Sequence, residues 1–344
     1  MKASLFHQHG GPEVLQYEDF PEPSITDNDV LVKVKYCSIN HLDLWIRGGL
    51  RTVDMKLPHI CGCDISGTVA DKGKLVEDLE NDSEVIVSPG VSCGKCNYCL
   101  IGMDNFCRKY SIIGGYDRHG GYAEYVSVPK ENIILKPNNV TFQDAAAFPL
   151  TFLTAWQMLV TKAKIKTGDS VLVIGGGSGV GSAAIQIAKL FNATIISTAG
   201  TEQKLTKLKE LGVDHVVDHS KEDYGEYVRN LTQRNGVDIV FDHVGKATWD
   251  RSIKSLTFGG RYVTCGATSG AESNIDIRML YRRQISIMGS FMGSKGELLE
   301  IMKFVENGSL KPIISDIFKL SDANVAHQRI ENSEHFGKVL LEIS

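Results

Sequence analysis

Between residues 170 and 264 the chain alternates short apolar runs with helix-length segments, a rhythm that few folds accept. Strands are expected at 170–174, 193–197, 214–217, 237–241 and 260–264. Helices are expected between them at 180–191, 202–211, about 222–233 and 248–256, with a leading helix at 151–162. Strands separated by helices of this length pair in parallel and need helices on both faces of the sheet. The expectation is an α/β chain with a doubly wound parallel sheet over 149–296.

The residues before 149 read differently. Segments 30–36, 84–88 and 122–128 are β-prone and separated by Gly, Pro, Asp and Asn, with no regular helix between them. After about 297 the pattern returns to this character, with a helix at 297–307, a segment at 311–319 and a last strand at 338–343. A split β-rich domain, 1–148 with 297–344, interrupted by the α/β domain 149–296, accounts for the change. At 344 residues the chain suits two domains. A net charge of -4 gives no nucleic-acid footprint, and the longest apolar runs fall short of a membrane span. The start, MKASLFHQHGG, lacks the apolar core of a signal peptide, so a cytoplasmic setting is expected.

Strand VLVI runs straight into Gly175, Gly176, Gly177, Ser178, Gly179, Val180 and Gly181, and then into a helix. Small residues there let the chain turn sharply and bring helix N-terminal amides against a pyrophosphate. The strict pattern is Gly176-x-Ser178-x-x-Gly181; an ordinary glycine-rich turn is the plain alternative. The next strand ends in Thr198, Gly200, Thr201 and Lys204, with no carboxylate to bind ribose hydroxyls or repel a 2′-phosphate. NADPH is therefore expected over NADH, although Lys204 also reads as a solvated helix residue. Asp242, His243, Val244 and Gly245 follow the fourth strand, and Cys265, Gly266 and Ala267 follow the fifth. Both loops are placed to contact a cofactor, or are simply tight turns.

Cys93, Cys96, Cys99 and Cys107 have the spacing C-x2-C-x2-C-x7-C. Four thiolates this close surround one tetrahedral ion, and one structural Zn²⁺ per chain is the expectation. Such a site has no open position, so it holds a loop and does no chemistry. An iron–sulfur cluster or reduced, metal-free thiols are the alternatives; disulfides are disfavoured.

GGPEVL at 10–15, GGYAEYV at 120–126, PLTFLTAWQML at 149–159 and the glycine loop resemble the medium-chain dehydrogenase/reductase superfamily over nearly the whole chain. The resemblance implies a GroES-like catalytic domain and a Rossmann-type domain, with cofactor in the interdomain cleft. It implies hydride transfer with nicotinamide, and homodimers or homotetramers built through the cofactor domain. The four-cysteine stretch looks like the structural zinc lobe of zinc alcohol dehydrogenases. Their catalytic zinc ligands, carried onto this chain, fall on Asn40, Cys63 (followed by Asp64) and Leu150, four residues ahead of a cofactor-side Thr154. Asn40 with Asp43 instead looks like the zinc-free quinone oxidoreductase and enoyl reductase branch. A local reading still assembles Cys37, His41, Cys63 and Asp64 into a second metal site.

The reaction so implied is NADPH-dependent reduction of a double bond conjugated to a carbonyl: an enone, a quinone, or an enoyl-coenzyme A thioester such as acryloyl- or crotonyl-coenzyme A. The alternative is a zinc-dependent alcohol dehydrogenase. A non-enzymatic cofactor-binding or redox-sensing protein is a third, weaker reading. Asn40 is the expected polar contact to substrate or nicotinamide ribose, and His41, Asp64 and Tyr116 are candidates for proton delivery. His119 reads as catalytic or structural, and Trp45 as a cleft or core aromatic. Arg47, Arg282 and Arg283 read as coenzyme A contacts or plain surface charges, and 285–291 as a dimer-pairing or internal strand.

Overall fold

The computed structural model of the protein describes residues 1–49 and 55–343. They gather into two compact units, Met1–Leu150 with Ser294–Ser344, and Thr151–Gly293. These breaks lie a few residues from the sequence-based ones.

In Thr151–Gly293 the strands Ser170–Val173, Thr194–Ala199, His215–Asp218, Val237–Asp242, Leu256–Thr264 and Ser286–Gly289 form one sheet, paired in parallel throughout. In space they run third, second, first, fourth, fifth, sixth. The order reverses between Ser170–Val173 and Val237–Asp242. At such a reversal the loops leaving the two strands diverge to opposite faces and open a crevice. The central strands are apolar along their length because helices cover both faces: Val171, Leu172, Val173, Ile239, Val240 and Phe241 are fully buried.

Three local expectations change. The segment 151–162 is an α-helix over Pro149–Trp156 that widens into a π-helix over Gln157–Lys162, and Lys164 then turns with positive φ. The carbonyls of Ala163 and Lys164 at that turn accept from the Arg261 guanidinium at 2.8 and 3.1 Å. Segment 285–291 contracts to Ser286–Gly289 and, among the described residues, pairs only with Leu256–Thr264, at the sheet's edge. Helices His41–Gly48, Phe142–Ala147, Ile277–Arg282 and Ala323–Glu331 lie outside the segments expected to be helical. The last of these buries Ala323, Ala326, His327 and Ile330, and a histidine in the buried stripe hides the helical period.

The other unit carries a seven-stranded sheet in the order Ile314–Lys319, Lys338–Glu342, Asp29–Ser38, Asp64–Lys72, Glu84–Val87, Ile133–Leu135, with Tyr125–Pro129 paired to Asp29–Ser38. All its pairs are antiparallel except Ile314–Lys319 with Lys338–Glu342. Val30, Val32 and Val34 alternate into the core, which Phe6, Ile65, Val85, Val126, Ile330 and Leu341 complete.

Candidate active site and metal centre

Three strand ends meet in the first unit. Ser38 pairs with Asp64 on one side and Leu340 on the other. Side chains two residues apart share a sheet face, so Asn40 beyond Ser38 and Lys338 before Leu340 arrive beside Asp64. Lys338 Nζ donates to Asn40 Oδ1 at 2.6 Å and to Asp64 Oδ2 at 3.1 Å. Asn40 Nδ2 donates to Asp64 Oδ2 at 2.9 Å and points its other hydrogen toward Cys63 Sγ at 3.5 Å. Ser38 Oγ reaches Asp64 Oδ2 at 3.2 Å, and the Leu150 amide reaches Oδ1 at 2.8 Å. Ser38, Asn40, Cys63, Asp64 and Lys338 are buried, Asp64 completely. A buried carboxylate is tolerated when paired and fully hydrogen-bonded, as here.

Asn40 also starts helix His41–Gly48, and Asp43 fixes that start: its Oδ2 accepts from the Asn40 amide at 2.7 Å and its Oδ1 from the Gly62 amide at 2.9 Å. Gly62 has φ +99, and a Cβ there would lie 2.5 Å from Tyr122 and 2.6 Å from Cys37 Sγ, so only glycine fits. Burial raises the Asp43 carboxyl to about 6, against the two amide bonds that lower it. Burial likewise pushes the Cys37, Cys61 and Cys63 thiols well above their usual range.

The other candidates separate. Asp64 is committed to the network above. His41 is exposed, its ring 6.4 Å from Trp45, which is itself 38% exposed and not a core aromatic. Tyr116 packs half-buried against the core. His119 accepts from the Ile60 amide at 3.3 Å and packs on His59 and Phe20, a structural position. Arg47 is neither a ligand arginine nor a surface charge. It is buried, donates from Nε to Gly10 O at 3.1 Å, lies 2.9 Å from His327 Nδ1 and pairs with Glu331. Arg283 lies over the Phe258 ring and donates to Leu256 O. Sequence reasoning missed Lys338: a lysine opening a strand looks like a solvated edge residue, and nothing local marks its burial.

In the second unit the glycine turn explains its own residues. Gly175 has φ +63, and a Cβ on Gly176 would sit 2.1 Å from Ser197 Oγ. Ser178 caps helix Gly179–Leu190: its Oγ accepts from the Gly181 amide at 2.9 Å and lies 3.0 Å from His243 Nε2. The middle serine is therefore a cap, and it ties the fourth strand's loop to the glycine turn. Thr198 braces the same turn, its Oγ1 accepting from the Gly175 amide at 3.0 Å. Asp242 is fully buried and accepts from Val244 N, Gly245 N, Thr248 Oγ1 and Ser252 Oγ, so its carboxylate shapes the loop from within. Gly245 (φ +92) and Gly266 let this loop and Cys265–Ala267 lie against each other; burial raises the Cys265 thiol to about 12. Thr154 lies buried in helix Pro149–Trp156. Thr201 caps helix Glu202–Glu210 by accepting from the Lys204 amide. Lys204 is half-buried, and burial lowers its ammonium. His219, absent from the sequence-based set, lies where a Cβ on Gly200 would come within 2.9 Å of its Nε2. The turn thus presents helix-terminal amides, with Lys204 and His219 near the end of the second strand, an arrangement chemically suited to an anionic ligand.

Among the described residues, the sulfurs of Cys93, Cys96, Cys99 and Cys107 are the one group of three or more His, Cys, Asp or Glu donors that converges, all within 4.8 Å of one another. Cys99 Sγ lies 3.9 Å from Cys93 Sγ and 3.5 Å from Cys96 Sγ. A tetrahedron with Zn–S bonds of about 2.3 Å has S···S edges of about 3.8 Å, so the sulfurs fit Zn²⁺. The Cys93 thiol is drawn below its usual range, first by the Lys95 amide and then by Cys107. Cys37, His41, Cys63 and Asp64 do not converge in this way. Asn40 and Lys338 occupy the polar space beside Cys63 and Asp64, and a lysine ammonium is no ligand. These residues do not fit a catalytic zinc.

Two family models match the chain: an alcohol dehydrogenase GroES-like domain over residues 26–138 and a zinc-binding dehydrogenase over 179–307. An NAD-dependent alcohol dehydrogenase of Sulfolobus acidocaldarius is 33% identical, with 100% of both chains covered. The human quinone oxidoreductase is 28% identical, covering 99% of this chain and 97% of its own. A crystal structure of an NAD-dependent alcohol dehydrogenase superposes with TM-score 0.96 at 46% identity, covering 100% of both chains. By name, the more similar relatives are alcohol dehydrogenases, and the quinone oxidoreductase is more distant.

Proposed function

The chain belongs to the medium-chain dehydrogenase/reductase superfamily, with GroES-like and Rossmann-type domains, and is an NAD(P)-dependent oxidoreductase; on that premise we propose that it reduces carbon–carbon double bonds conjugated to a carbonyl, using NADPH. The observation that carries this reading is the Lys338 ammonium bonded to Asn40 and Asp64, at the place where the resemblance puts a catalytic zinc. Oxidising an alcohol without that ion leaves an alkoxide with no Lewis acid beside it. Conjugate reduction needs only hydrogen-bond donors aimed at an enolate oxygen.

The nicotinamide, when bound, supplies the hydride. On the substrate, the β-carbon gains a C–H bond, the π electrons move to the carbonyl oxygen, and a proton from solvent then forms the α-C–H bond as the enolate collapses back to the carbonyl. Asn40 Nδ2 holds one hydrogen on Asp64 and the other against the weakly accepting Cys63 sulfur. That second hydrogen is the donor available to the developing oxyanion. Enones, quinones and enoyl thioesters share this chemistry.

Lys204 and the missing ribose-binding carboxylate support NADPH. Alcohol oxidation with NAD is the second reading, favoured by the names of the more similar relatives. A substrate panel separates the two. Turnover of at least one enone, quinone or enoyl thioester with NADPH is expected, and Lys204→Ala should weaken NADPH about tenfold while leaving NADH within about twofold. Alcohol oxidation alone, with no activity on any double bond, would transfer the assignment to the second reading.

The edge strand Ser286–Gly289 and the exposed Phe258, Tyr281, Ile287 and Phe291 support self-association through the second unit. Light scattering should return at least twice the 37.8 kDa chain mass; a monomer at micromolar concentration would refute it. Among the described residues no helix is long and apolar enough to cross a membrane, and no two cysteines are joined in a disulfide.

A further inference from the structure

We infer that Lys338 is the positioning residue of this site: its ammonium fixes the orientation of the Asn40 amide and takes the place that a second divalent cation would need. The inference rests on the reading above, that hydride transfer here runs without a catalytic metal.

An amide side chain has nearly the same shape after a half-turn, so packing alone does not select its orientation. Charge does. Lysine is a donor with no acceptor, so the atom facing Nζ at 2.6 Å is the Asn40 oxygen. The amide nitrogen is then turned to Asp64 and Cys63. Without Lys338 the reverse orientation no longer meets a cation, and the donor hydrogen is lost from its direction in part of the molecules. The lysine is itself held tightly. Gly337 turns with φ +88, the Lys338 amide donates to Ile313 O at 2.7 Å, and the side chain is only 4% exposed. Asp64 neutralises it, and Ser38 and the Leu150 amide orient Asp64 in turn. This charge cannot swing to solvent to admit a metal ion, since it would leave Asp64 buried without a partner.

The test uses the full-length protein, Lys338→Met, which keeps length without charge, and Lys338→Arg. Three readouts are taken: cobalt bound per chain with its absorption spectrum, NADPH affinity by fluorescence titration, and kcat separately from KM. Wild type should take up one cobalt ion, with a tetrathiolate spectrum. Lys338→Met should lose about a hundredfold in kcat with NADPH affinity within about twofold, and Lys338→Arg should recover at least about tenfold of that loss. A second cobalt ion in wild type overturns the inference. So does a methionine variant within about threefold of wild-type kcat, or an arginine variant that binds NADPH but recovers nothing. If the methionine variant does not fold, the wild-type cobalt count and the arginine variant decide. Absence of double-bond turnover in wild type would remove the proposed reaction, while the cobalt count would still decide the place of Lys338.

Discussion

Acidification from pH 7 to pH 4 is expected to destabilise the unit Met1–Leu150 with Ser294–Ser344 by about 4 kcal/mol. Two buried histidines drive the loss. Burial and then the Arg47 guanidinium hold His327 down to about 3, and burial holds His59 down to about 4, against the Gly114 carbonyl that raises it. Above an unfolded value of about 6.5 both states are neutral and neither histidine contributes. Below it the unfolded chain takes up protons that the folded chain refuses, so stability falls until each folded value is reached. Each histidine thereby removes about 3 kcal/mol by pH 4. Asp43 has the opposite sign. Its folded value of about 6 lies above the ordinary carboxylate, so the folded state is the better proton acceptor between about 6 and 4, and it returns about 2 kcal/mol.

The net loss is a large fraction of a typical domain's 5–15 kcal/mol. Urea unfolding midpoints measured at pH 7, 5 and 4 check it. His327→Gln should start lower at pH 7, because Arg47 and Tyr122 lose their partner, and should show a clearly flatter pH dependence. An unchanged slope in that variant would mean that His327 takes up its proton alike in the folded and unfolded protein.

Arg47, His327, Tyr122 and Glu331 also show why sequence reading stops where it does. The parallel sheet was legible because its strands are continuous apolar runs and its turns are glycines with positive φ or close approaches, both local signals. The four cysteines were legible because ligand spacing within fifteen residues is itself the site. Asn40 was found only through resemblance to a family pattern, and Asp64 through that pattern and a local metal-ligand reading whose residues do not converge. Lys338 and Arg47 were not found as structural charges at all, since each is buried by elements far away in sequence: Lys338 meets Asn40 from 298 residues away, and Arg47 meets His327 from 280. A buried charge has the same composition as an exposed one, and only the pairing of strand ends tells them apart.

Removal of the zinc ion proposed for Cys93, Cys96, Cys99 and Cys107 is expected to unfold their lobe while leaving binding of the nicotinamide cofactor intact. The lobe has little else to hold it. Its larger apolar residues face outward, with Leu100 72% and Ile101 68% exposed, and Tyr98, Met103 and Phe106 also exposed. Its helices, Asn97–Leu100 and Asp104–Phe106, are single turns that do not persist alone. The four sulfurs therefore replace a hydrophobic core, and structural zinc sites of this kind bind with an apparent 10–16 kcal/mol, about the whole stability of a domain. The lobe is tied to the rest of its unit by Asp104, whose Oδ1 accepts from the Lys295 amide at 3.0 Å at the start of helix Lys295–Glu306. Its loss should thus propagate to that helix end. One zinc per chain should be found in protein purified without added metal. Chelation should lower the melting temperature by about 10 °C or more and open 93–107 to protease. Cys99→Ser should mimic chelation. The glycine turn lies in the other compact unit, so NADPH affinity should change by no more than about threefold. Metal-free protein with an unchanged melting temperature and a protease-resistant lobe would show that the thiols alone, through their own contacts, hold this segment.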